Sequence, residues 1–85
     1  MEGNDVEVLK WNGKVSLEKE VVKVCFDGQD EINFINDGNY CFQLKMMIEA
    51  GSMKYAKSNL EGNLEHYLHR KYKRYFVVNI TEIEL

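Results

Sequence analysis

Proline is absent from this 85-residue sequence, and cysteine, tryptophan and long apolar runs are scarce. Without proline, every amide after the first residue can donate a hydrogen bond to a helix or a sheet. The two cysteines are too few for a disulfide framework, and they lack the spacing of metal ligands. No apolar run approaches the roughly 18 residues of a membrane span, and the acidic N-terminus is unlike a signal peptide. These absences predict a cytoplasmic protein that does not enter a membrane.

Length and composition are those of one small globular domain spanning residues 1–85. Apolar residues make up 45% of the chain and charged residues 29%, proportions typical of folded proteins. A chain of this size builds one modest core and has no room for a large internal substrate pocket. Its charge is uneven: residues 1–37 hold nine acids and four bases, whereas residues 38–85 hold five acids and seven bases. The two halves therefore differ in the sign of their net charge.

The first half of the chain contains three dipeptides that are typical of turns, namely Asn12-Gly13, Asp27-Gly28 and Asp37-Gly38. Each lies between residues that favour strands. Asn-Gly or Asp-Gly in that setting favours a tight hairpin, because both central residues need a positive φ. The pattern predicts an antiparallel β-meander of about four strands, over residues 5–11, 15–26, 31–36 and 40–48.

The last of these strands competes with a helix over residues 40–50. Residues 43–50 are almost all helix formers, and Gly51 would end such a helix. The side chains of Cys41, Leu44, Met47 and Ile48 fit one helical face. The strand is favoured because the turn at 37–38 requires a partner strand directly after it.

One main helix is predicted near residues 59–74. It starts from Ser58, with Glu61 three residues later in the capping-box pattern. Its apolar stripe should lie on the sheet and consists of Leu60, Leu64, Tyr67, Leu68, Tyr72 and Tyr75. A C-terminal strand over residues 76–83 completes an α+β fold, in which the helix packs across the meander.

Basic side chains gather at the end of this helix. The cluster consists of His66, His69, Arg70, Lys71, Lys73 and Arg74, with tyrosines interleaved. Three interpretations stay open: a solvated face neutralised by the protein's own acidic turn, a surface that binds an acidic protein, or a nucleic-acid site with stacking aromatics. Cations in the last turns of a helix also complement its dipole.

The sequence contains no recognisable catalytic or metal-binding motif. His66 and His69 are spaced to share a metal ion, but no third ligand accompanies them. Cys25 and Cys41 stand outside any nucleophile motif and are expected to be buried thiols. We therefore expect no enzymatic activity, no cofactor and no metal.

An acidic turn supplies the opposing charge, with Asp27, Asp30 and Glu31 as its binding candidates. A small sheet rimmed by carboxylates can compete for the basic groove of a nucleic-acid enzyme. The sequence therefore predicts a non-enzymatic protein-binding module. A sharper version is a phage or mobile-element inhibitor of a host nucleic-acid-processing defence protein. The alternative is a nucleic-acid-binding protein that uses the basic helix end, and an exposed sheet edge would also permit a homodimer.

Overall fold

The computed structural model describes residues 8–27, 31–35 and 38–84. In chain order the elements are β1 (Val8–Glu18), β2 (Val21–Phe26), β3 (Glu31–Ile35), α1 (Gly38–Glu49), α2 (Met53–Tyr72) and β4 (Tyr75–Glu84). The strands form one sheet in the order β3-β2-β1-β4. The predicted α+β class and the C-terminal strand are confirmed, and the sheet has four strands with the C-terminal one included.

The sheet is mixed rather than antiparallel throughout. The pairs β1/β2 and β2/β3 are antiparallel, so the meander has three strands rather than the predicted four. β4 instead runs parallel to β1, with Leu9 opposite Phe76 and Trp11 opposite Val78. A parallel neighbour needs a long crossover connection, and the two helices between β3 and β4 provide it.

The predicted hairpin at Asn12-Gly13 is wrong, because both residues lie inside β1. The real turn between β1 and β2 lies at Lys19 and Glu20, where Lys19 takes a φ of 52°. Gly13 serves a packing need instead: a Cβ there would lie 3.0 Å from carbons of the Phe26 ring. A glycine inside a strand can make room for a neighbouring ring. The sequence Asn-Gly looks the same in that role as it does in a hairpin turn.

The strand predicted over residues 40–48 is also wrong, since these residues belong to α1. α1 ends at Glu49, and Gly51 caps it with a φ of 83°, as the alternative helix prediction expected. The Ser52 N–H donates to the Met47 carbonyl at 2.7 Å, and the Gly51 N–H donates to that of Ile48 at 3.0 Å. These two bonds form a Schellman cap. Helix propensity therefore outweighed the turn dipeptide, whose Gly38 became the first residue of α1.

The second helix starts earlier than predicted. α2 begins at Met53 after Ser52, whose side chain makes no capping hydrogen bond. Ser58 is an exposed residue inside the helix, so the predicted capping box with Glu61 does not form. The helix ends at Tyr72, and Lys73 takes a left-handed φ of 59° before the chain enters β4.

The core lies between the helices and one face of the sheet. The predicted stripe is confirmed at Leu60, Leu64 and Leu68, which are at most 1% exposed, whereas Tyr72 and Tyr75 are exposed. Together with these leucines, the buried cluster contains Val15, Leu17, Val22, Val24, Phe26, Cys41, Leu44, Ala56, Phe76, Val78 and Ile80. The other sheet face is open to solvent, and it carries Cys25, which is exposed rather than buried as expected.

Candidate functional site

The predicted basic residues come together at one end of the molecule, where α2 turns into β4. We call this group the basic end, and it consists of His66, His69, Arg70, Lys71, Lys73 and Arg74. All of these residues are exposed except His69, which is partly buried. The turn is fixed by the left-handed Lys73, whose N–H donates to the His69 carbonyl at 2.8 Å. Six basic residues therefore lie within nine positions of the chain, around the end of α2.

His69 organises this turn. Its Nδ1 lies 2.7 Å from the carbonyl oxygen of Arg74. A carbonyl only accepts hydrogen bonds, so Nδ1 carries the proton in this contact. The imidazole also stacks on the Tyr75 ring, with centroids 4.8 Å apart and planes at 25°. His69 therefore fixes the backbone that carries Arg74, a positioning role that the sequence did not reveal.

Lys71 is held against two of the interleaved tyrosines. Its Nζ lies 5.8 Å from the Tyr67 ring centroid and 5.5 Å from that of Tyr72. Cation–π contacts at exposed sites contribute roughly 0.5–1 kcal/mol each. These rings are therefore already in contact with a cation of the same chain, and a ligand that stacks on Tyr72 would compete with Lys71.

No carboxylate in the described part of the chain forms an ion pair with the basic end. The ion pairs found there lie on the open sheet face, joining Lys14 to Glu82 at 3.8 Å and Lys23 to Glu18 at 3.4 Å. Of the predicted acidic turn, Asp27 follows β2 and Glu31 begins β3, and β1 separates both strands from β4. Asp27 and Glu31 are exposed there, and Asp30 lies outside the described residues. None of the described carboxylates therefore neutralises the basic end through an ion pair.

A cavity of about 380 Å³ opens beside the basic end. We call it the aromatic pocket, and it is lined by Leu9, Trp11, Tyr72, Arg74 and Phe76. The Trp11 ring meets the Phe76 ring edge-on, with centroids 4.9 Å apart, and Tyr72 lies 5.9 Å from Phe76. Sequence reasoning missed this pocket, because it depends on the parallel register of β1 and β4, which no local pattern encodes.

The open sheet face carries a second depression, of about 420 Å³, with a different character. Its lining includes Lys14, Lys23, Cys25, Glu31 and Glu82. Lysines and carboxylates alternate across neighbouring strands, where Lys14 lies between Glu82 and Cys25 and Cys25 lies beside Glu31. With Glu18 and Glu84 also in the lining, four carboxylates face two lysines, so this surface carries a net negative charge that the lysines interrupt.

The described residues contain no group of three side chains that could hold a metal ion. His66 and His69 lie one turn apart, and Nδ1 of His69 bonds the Arg74 carbonyl. None of the helices in the described ranges is long and apolar enough to cross a membrane.

The β4 edge of the sheet is closed by carboxylates from α2. The Val78 N–H donates to Glu65 Oε2 at 2.9 Å, and the Ile80 N–H donates to Glu61 Oε2 at 2.8 Å. These donors would otherwise be available to a strand from another molecule. The homodimer predicted from an exposed edge therefore has no support at β4.

Comparisons with protein-family models, with curated proteins and with solved structures found no match for this chain. Its function is therefore inferred from the surfaces of the chain itself.

Proposed function

We propose that this chain is a non-catalytic protein-binding module that docks on an acidic protein surface through its basic end. The observation that carries the proposal is the concentration of six basic residues between positions 66 and 74, on one turn and one helix end. Arginine and tyrosine are the residues that interface cores favour, and Tyr72 and Tyr75 are 47% and 55% exposed here.

The charge distribution supports a protein partner over a nucleic acid. Strong nucleic-acid binding requires several successive phosphate contacts along a continuous cationic track. On the neighbouring open sheet face, Lys14 and Lys23 are paired with Glu82 and Glu18. The other described lysines are spread over several elements, so the densest cationic cluster is the basic end. A short cluster of this kind matches a localised acidic patch better than a phosphate backbone.

The sharper prediction of a phage or mobile-element inhibitor that binds a host defence protein through charged surfaces stays a prediction, and its acidic residues are the second candidate surface. Asp27 and Glu31 are exposed and accessible to a partner. On the described sheet face, however, two lysines interrupt the four carboxylates. A surface that imitates nucleic acid would need an uninterrupted row of negative charge. The basic end therefore has the stronger support as the docking surface.

Fluorescence anisotropy with three labelled probes tests the proposal: a peptide rich in aspartate and glutamate, a single-stranded oligonucleotide and a duplex. Titrations at about 50 mM and about 200 mM salt separate a general charge effect from phosphate binding, because oligonucleotide affinity falls steeply over that interval. We expect the acidic peptide to bind more tightly than either oligonucleotide at the higher salt. Tighter oligonucleotide binding with a steep salt slope would replace this proposal with the nucleic-acid alternative.

A matched pair of variants locates the binding surface. Arg70→Glu/Arg74→Glu reverses two charges at the basic end. Lys54→Glu/Lys57→Glu changes the net charge by the same amount near the start of α2. We expect the first variant to weaken peptide binding at least about tenfold, equivalent to about 1.4 kcal/mol, and the second to change it less than about twofold. Equal losses in both variants would contradict docking at the basic end.

A further inference from the structure

We infer that the aromatic pocket is an anchor site for one apolar side chain, aromatic or large aliphatic, that lies beside carboxylates in a segment of the partner protein. This inference rests on the proposed function, since it specifies the chemistry of the acidic segment that the basic end would bind.

The floor of the pocket is apolar and firmly supported. Phe76 is only 7% exposed, and it lies in β4 opposite Leu9 of β1. Trp11 is wedged between two rings, with its centroid 4.9 Å from both Phe26 and Phe76. A floor fixed by packed rings loses little conformational freedom when a ligand side chain covers it, which favours binding.

The wall of the pocket is accessible. Tyr72 stands at the end of α2 with 47% of its surface exposed, while Leu9 and Trp11 are partly buried. A volume of about 380 Å³ lies at the lower end of the roughly 300–1,000 Å³ found for ligand pockets. The space therefore suits one side chain rather than an extended substrate.

Charge complementarity selects the occupant. Arg74 lines the pocket directly, and Arg70 and Lys73 belong to the same basic end. An arginine guanidinium binds a carboxylate through two parallel hydrogen bonds, which gives direction as well as affinity. An apolar floor with Arg74 at its rim therefore fits a hydrophobic side chain flanked by aspartate or glutamate in a protein segment.

Trp11 is the only tryptophan in the chain, so its indole signal reports on the pocket alone. Three synthetic peptides without tryptophan or tyrosine provide the test: an acidic peptide with one central phenylalanine, the same peptide with alanine, and a neutral peptide with the phenylalanine. Tryptophan emission and the indole N–H cross-peak are recorded during each titration, and an oligonucleotide serves as a fourth probe.

We expect the acidic phenylalanine peptide to bind about tenfold more tightly than the alanine peptide, and it alone should shift the Trp11 signals. The neutral peptide should bind far more weakly. If both acidic peptides bind equally and Trp11 does not respond, the anchor site is refuted while the proposed function stands. Failure of both acidic peptides would overturn both. A Trp11 response to the oligonucleotide alone would assign the pocket to a nucleobase and refute the inference.

Tyr72→Ala provides a second test that does not depend on the tryptophan signal. Tyr72 is half-exposed, so its truncation removes a pocket wall with little loss of core packing. The variant should abolish the advantage of the phenylalanine peptide over the alanine peptide. Tyr55→Ala, at an exposed tyrosine near the start of α2, is the matched control and should preserve it. A preserved advantage in Tyr72→Ala would contradict the anchor site.

Discussion

Glu65 of α2 accepts a hydrogen bond from the backbone N–H of Val78 at 2.9 Å, at the outer edge of the sheet. One turn earlier on the helix, Glu61 accepts the N–H of Ile80 at 2.8 Å. Four helical residues rise about 6 Å and two strand residues about 6.6 Å, so the spacing of the carboxylates matches that of the donors. The helix therefore acts as a substitute neighbour for the edge strand.

Glu65→Ala and Glu61→Ala should each lower the free energy of unfolding by about 1–3 kcal/mol. Each substitution leaves a partly buried backbone N–H without its charged acceptor, and a buried donor left unsatisfied costs an amount of this size. Gln substitutions keep an acceptor oxygen and should cost less. Urea denaturation measures the effect, with the exposed Glu49→Ala as control. Losses no larger than that of the control would show that the two carboxylates do not stabilise the edge.

The double variant Glu61→Ala/Glu65→Ala should also self-associate more readily than the native chain. Removal of both carboxylates exposes the edge donors of β4, and unprotected edges pair with one another. Light scattering across a concentration series measures the average mass. An unchanged mass in the double variant, at concentrations where it remains folded, would contradict this protective role.

Two glycines should respond in opposite ways to alanine. Gly62→Ala should stabilise the protein by about 0.5–1 kcal/mol, because a Cβ there meets nothing within 4 Å and alanine favours a helix. Gly13→Ala should destabilise it by about 1–3 kcal/mol, since the new Cβ would press on the Phe26 ring. Thermal melts compare the two directly. Stabilisation by both substitutions would mean that Phe26 has room to move.

Ionisation of the Tyr40 phenol should lower the free energy of unfolding at high pH. Burial raises its pKa above the ordinary tyrosine value, an effect that hydrogen-bond donation from Asn63 partly offsets. As the pH rises past about 10, the unfolded chain loses the phenolic proton first. The unfolded state then binds fewer protons than the folded state, so the free energy of unfolding decreases with pH.

Urea denaturation between about pH 9 and about pH 11 tests this, because the interval spans the ordinary tyrosine pKa. Tyr40→Phe should flatten the decline. Asn63→Ala should raise the pKa of Tyr40 further, since it removes the donor to the phenol oxygen. An identical decline in the native chain and in Tyr40→Phe would show that other groups cause it.

Sequence reasoning succeeded where the signal was local and repeated. The spacing of Leu60, Leu64 and Leu68 specifies a buried helical face, and the β-branched run of β4 specifies a strand. It failed where a local signal had two meanings. Asn12-Gly13 indicates a hairpin, but the glycine there makes room for the Phe26 ring, a contact that only the pairing of β1 with β2 creates.

The same distinction applies to the site. The basic end is continuous in sequence, so its residues could be found from the helical pattern alone. The aromatic pocket joins Leu9 and Trp11 to Phe76 through a parallel register between strands at opposite ends of the chain. Such a pairing depends on where the crossover helices return the chain, and no local periodicity contains that information.

Amide chemical-shift mapping tests the central claim most directly. The 15N-labelled protein is titrated with the acidic phenylalanine peptide, and shifted amides are located on the fold. Docking at the basic end predicts that the largest shifts fall in residues 66–76, with further shifts at residues 9–11 and at the Trp11 indole. Largest shifts on the open sheet face, around Cys25 and Glu31, or no shifts at all, would contradict the account.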